Sequence, residues 1–80
     1  MKNNIEDILR KNAQIGNKPR SVFELAEMLD LRRSYVQEIV DGAITPTIHL
    51  MERITKTLGI DTGEGIGSVF VIDADNRNKN

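Results

Sequence analysis

Few residues in this chain can do covalent chemistry, and none is arranged for it. There is no cysteine, and His49 is the single histidine. A general base needs a nucleophile or a second titratable group beside it, and no second histidine or thiol accompanies His49, so it reads as a solvated side chain. Gly63, Gly65 and Gly67 flank Glu64 and Ile66 in a glycine-rich run. The run follows a helical pattern, opens none, and has the spacing of neither phosphate-binding fingerprint, so a nucleotide loop is rejected. No catalytic residue, metal site or cofactor is expected, and the chain is not read as an enzyme.

The side chains with usable chemistry are hydrogen-bonding ones between positions 32 and 40. Arg33 and Gln37 stand four residues apart, which on a helix places both on one face. A guanidinium matches O6 and N7 of guanine, and a carboxamide matches N6 and N7 of adenine. An α-helix fits the major groove, where its first side chains reach base edges. The plain alternative is a solvated polar face.

Such a face is useful only if other elements hold it. Ile5, Ile8 and Leu9, extended by Asn12 and Ile15, trace one face of a first helix, with Asn3 and Glu6 as a capping pair and Gly16 as its stop. Ser21 followed by Glu24 is a capping box for a second helix, and Val22, Leu25, Ala26 and Leu29 form its apolar stripe. After only Asp30 and Leu31 a third helix is expected, about 32–40, with Val36, Ile39 and Val40 inward and Gly42 as its left-handed stop. Ala26 is small enough to let the two helices cross closely. Thr47 caps a fourth helix whose inner face is Leu50, Met51, Ile54 and Leu58, ended by Gly59.

Beyond residue 60 the character changes. The three glycines predict a turn-rich stretch over 61–68. Val69, Phe70, Val71 and Ile72 form a β-prone run that is apolar on both faces, followed by a polar tail. One strand lacks a ladder partner. It either folds back over the bundle or pairs with the same strand of a second chain in a symmetric dimer. The division expected is 1–60 as the helical domain and 61–80 as linker, strand and tail.

Composition bounds the rest. The 39% hydrophobic and 29% charged fractions suit a soluble globular domain, and no apolar run approaches the length that spans a membrane. Residues 1–4 lead into an amphipathic pattern without a signal-peptide core, so a cytoplasmic location is expected. The net charge of −1 argues against a generally basic nucleic-acid binder. Residues 1–60 carry nine bases and eight acids. Any nucleic-acid binding must rest on local placement.

The sequence Leu25-Ala26-Glu27-Met28-Leu29, then Arg33-Ser34-Tyr35-Val36, Asp41-Gly42, Thr45-Pro46-Thr47 and Leu58-Gly59-Ile60 resembles the lambda repressor/Cro type of helix-turn-helix regulator, the xenobiotic-response-element family. The resemblance runs from about Ile5 to Ile60. It implies a mainly α fold, a repressor-like bundle of four or five helices, here with a short C-terminal β-strand or extended arm. It also implies a homodimer on a palindromic double-stranded DNA operator. The family's base-reading positions fall on Arg32, Arg33, Ser34, Gln37 and Glu38. Tyr35, Ser21 and the amides opening the second helix would meet phosphates, with Arg20 and Lys18 nearby, and Thr45 and Thr47 match a second phosphate clamp. Val69, Phe70, Val71 and Ile72 would be the dimer arm.

Four positions depart from that pattern. Asp30 stands where the turn usually has glycine, Val22 where a phosphate-contacting Gln or Thr is usual, and Arg32 where a serine cap is usual. The family's helix-one arginine would be Arg10, but its glutamate position holds Val40, leaving Glu38 or Asp41 as substitutes. The expected function is a sequence-specific transcriptional regulator, a repressor of phage or mobile-element type. The alternative is a protein-interaction module on the same scaffold, an antitoxin or antirepressor with a protein partner.

Overall fold

Apolar residues recurring at helical spacing give this chain one side to bury on each of its first four segments, and short capped helices are the result. The computed structural model describes residues 2–60 and 62–71. Among them are α1 (Ile5–Ile15), α2 (Val22–Leu29), α3 (Arg33–Val40), α4 (Ile48–Thr57) and α5 (Thr62–Val69). The protein is a small, mainly helical bundle. Ile5, Leu9, Leu25, Leu29, Val36, Ile39, Ile54, Val69 and Phe70 meet in a single core cluster. None of the described helices is long and apolar enough to cross a membrane.

The helix ends are set by the residues expected to set them, with differences in detail. Ser21 Oγ accepts from the Glu24 amide at 3.2 Å. The Glu24 carboxylate does not return to Ser21, as a standard capping box would. It accepts instead from the Arg20 backbone N–H at 2.7 Å and from the Arg20 guanidinium. Thr47 Oγ1 accepts from the Leu50 amide at 3.2 Å. Asp30 sits at φ 57°, a left-handed conformation that glycine fills most easily and that Asp tolerates. There it lets the Leu31 amide reach back to the Ala26 carbonyl at 3.0 Å.

α1 differs from expectation at both ends. The N-cap residue of α1 is Asn4, whose side chain makes no cap hydrogen bond, and Asn3, one residue earlier, accepts from the Ile5 amide at 3.1 Å through Oδ1, without a return contact from Glu6. Asn3 Nδ2 donates to the carbonyls of Ile39 at 2.9 Å and Val40 at 3.3 Å. At the far end Ile15 is 69% exposed, not part of the inner face. Asn12 is buried, and its Nδ2 donates to the Pro19 carbonyl at 3.0 Å, which ties down the connection to α2.

The largest correction concerns residues 61–71. The glycine-rich stretch expected to be turn-rich is helical from Thr62 to Val69. A helix with three glycines has poor intrinsic propensity, and packing overrides it. A Cβ on Gly65 would collide with Ile60 and stand 3.0 Å from Thr55 Cγ2, so glycine permits the close approach of α5 to α4. Thr55, unremarked in the sequence pattern, is fully buried there and donates to the Met51 carbonyl at 2.7 Å. The strand expected at 69–72 does not form over its described part. Val69 ends α5, and Phe70 makes one isolated antiparallel bridge with Asn3. The Asn4 amide donates to Val69 O at 2.7 Å and the Val71 amide to Lys2 O at 3.0 Å. An apolar run of four residues fits a buried helix end as well as a strand.

Candidate nucleic-acid interface

α3 is pinned on one side and open on the other. Val36 and Ile39 are buried against the core, with Tyr35 and Val40 packed beside them. Arg32, Arg33, Ser34 and Glu38 are exposed, and Gln37 is half-buried. Arg32 is the N-cap residue at ψ 138°, and its side chain makes no cap hydrogen bond. The start of the helix thus presents two guanidinium groups and a hydroxyl to solvent, and no salt bridge engages either arginine among the described residues. The C-terminal end is held by Asn3 through the carbonyls of Ile39 and Val40.

Gln37 is not free. Its Nε2 donates to Asp41 Oδ1 at 2.9 Å, one turn further along the same helix. The spacing of Gln37 and Asp41 permits this contact, but in sequence Asp41 reads as part of a helix stop or as a substitute partner for Arg10, not as a partner of Gln37.

The surroundings expected to meet phosphates fall into two groups. Ser21, Thr45 and Thr47 are exposed. The capping oxygens of Ser21 and Thr47 accept backbone amides, which leaves each hydroxyl hydrogen available to donate outward. The amides of Val22 and Phe23, at the first two positions of α2, are the orphan donors of that helix. Arg20 is different. Its Nη2 lies 2.7 Å from Glu24 Oε2. The Arg20 side-chain and backbone hydrogen bonds hold the Glu24 carboxyl far below its ordinary value, at about 2. The same contact raises the Arg20 guanidinium. Glu24 offsets the charge of Arg20 and orients it, while Nη1 and one Nη2 hydrogen of the guanidinium remain free of that pair.

Arg10 does not reach Val40, Glu38 or Asp41 as the family pattern suggested; it pairs with Asp7 at 2.9 Å on the surface of its own helix. Arg53, unnoticed in sequence, donates to the Leu29 carbonyl at 2.8 Å and so caps the end of α2. His49 is 97% exposed on its side chain and stands 3.7 Å from Glu52. No group of three or more potential metal ligands occurs among the described residues. Val69 and Phe70, expected as half of a dimer arm, are fully buried within one chain, while Val71 is 45% exposed. Ile72 lies outside the described residues.

Compared with known protein families, curated proteins and solved structures, the chain matches none.

Proposed function

We propose that this protein is a sequence-specific DNA-binding transcriptional regulator of helix-turn-helix type, with α2 and α3 as the motif and α3 as the reading helix. One observation carries the reading: Arg32, Arg33 and Ser34 stand exposed and, among the described residues, unpaired at the N-terminal end of a helix that buries Val36 and Ile39 on its other side. Arg33 supplies guanine contact and Gln37 adenine contact, with Glu38 beside them at the edge of the read site. Ser21, the α2 amides, Tyr35, Thr45 and Thr47 hold the phosphate backbone. The near-neutral charge gives weak non-specific attraction, so two copies on a palindromic operator supply the affinity that one lacks. With Val69 and Phe70 occupied in the core, that pairing does not use a four-residue strand. The protein acts in the cytoplasm as a repressor of phage or mobile-element type, without catalysis.

Selection from a random duplex library, followed by a salt titration on the selected sequence, tests this. A palindromic sequence bound at least about tenfold more tightly than random DNA, with affinity falling steeply with salt, supports it. Equal affinity for both sinks it.

A second reading is a protein-docking module on the same scaffold. Its specific support is the set of exposed apolar side chains Phe23, Met28 and Ile48, each more than half exposed, together with the acidic Glu38 and Asp41 on the outer side of α3. Recovery of a stoichiometric protein partner, with no DNA retained at low salt, would favour it.

A further inference from the structure

We infer that Asp41 is a positioning residue that makes Gln37 choose adenine over guanine. This rests on the DNA-reading proposal above and sharpens it.

Ionised Asp41 only accepts hydrogen bonds, whereas the Gln37 amide has one accepting oxygen and one nitrogen with two hydrogens. The 2.9 Å contact between Gln37 Nε2 and Asp41 Oδ1 therefore fixes which way the amide faces. It uses one N–H and turns Oε1 away from the carboxylate. An oxygen acceptor and a single N–H donor remain.

That remaining pair is the complement of adenine, which offers the N6 amino donor and the N7 acceptor. Guanine offers two acceptors, O6 and N7, and needs two donors from its reader. An untethered glutamine can turn its NH2 group toward guanine and use both hydrogens. A tethered one cannot without giving up its hydrogen bond to Asp41. Asp41 thus works by subtraction, removing the donor that would tolerate the wrong purine.

Its placement otherwise costs the protein something. Asp41 is the C-cap residue of α3, where negative charge opposes the helix dipole, and it adds an acid to a surface meant for phosphates. Removing the charge relieves both. Stability and overall DNA affinity should then stay level or rise while discrimination falls, a combination that a merely structural role does not produce.

The experiment compares the natural chain with Asp41→Asn, Asp41→Ala and Gln37→Ala. The probes are the selected duplex and duplexes in which each adenine is replaced in turn by guanine. The natural chain should disfavour one A-to-G replacement by about tenfold or more. Asp41→Asn, whose amide can serve as donor or acceptor, and Asp41→Ala should each lower that ratio by about threefold or more. Both should leave the salt slope and melting temperature level or higher, and Gln37→Ala should lose the ratio altogether. A natural chain that shows the adenine preference while both Asp41 variants keep it in full overturns the assignment to Asp41 alone. A natural chain that binds random and selected duplexes equally overturns the DNA reading and this assignment with it.

Discussion

The openings of α2 and α3 face similar problems and solve them differently. Each leaves amide hydrogens without partners inside the helix. At α2 the chain satisfies itself: Ser21 caps, Glu24 reaches back to the Arg20 amide, and the Arg20 side chain closes on Glu24. At α3 nothing closes. Arg32 offers no cap hydrogen bond, the first turn has no acid, and two cations stand there at the less favourable end of the dipole. The first opening is closed by the chain's own side chains; the second is not. A negatively charged group at the second opening would be favoured both by the helix dipole and by the two arginines.

Four changes break or sharpen that contrast. Arg33→Ala should cost about 1–3 kcal/mol of discrimination between selected and random duplex, with folding stability unchanged within about 0.5 kcal/mol; titration and thermal melts on one preparation read both. Ser21→Ala should do the reverse. It should lower stability by about 1 kcal/mol through the lost cap, with base discrimination retained in a competition assay. Arg32→Ser installs at α3 the cap that α2 already has. It should raise stability by about 0.5–1 kcal/mol and weaken DNA binding, and a rise in both would show that Arg32 touches no DNA.

The smallest effect is a pH signature. Glu24 titrates near 2 in the folded protein and near 4.5 otherwise, so its ionised form is favoured by folding. The contribution is complete above the higher value and fades as pH falls toward the lower one. Natural protein should melt above Glu24→Gln by a constant margin at neutral pH, and the margin should close between pH 4.5 and 2. No comparable window is expected for Arg33→Ala.

The first four helices were legible because their apolar spacing, caps and stops agree. Ser21, Thr47, Gly16, Gly42 and Gly59 each act where their types predict. The fifth was not legible, because glycine counts against a helix in isolation. What licenses it is the fit of Gly65 against Ile60 and Thr55, a contact between elements rather than a local preference. The β-prone run misled for a related reason: Val69 and Phe70 are chosen by the core, and their pairing partner is the N-terminal segment. At the candidate site, Arg33 and Gln37 could be found by spacing. The tie to Asp41 was present as an interval of four and hidden by the stronger signal of Asp41-Gly42 as a stop. Asn3 reads in sequence only as a capping residue of α1; its hold on α3 gave no signal, since the carbonyls it donates to lie on a different helix far along the chain.

The bridge between Asn3 and Phe70 also imposes an order in time. Asn3 is made early, the carbonyls of Ile39 and Val40 later, and Val69 and Val71 later still. Closing so long a loop costs entropy that grows only with the logarithm of its length, but it cannot be closed before the last partner exists. During synthesis α3 can form while the backbone beside its fastening residue still lacks Val69 and Val71. The finished fastening of α3 therefore arrives late in the life of the nascent chain, and a message truncated before residue 69 would yield a product that carries α3 without it.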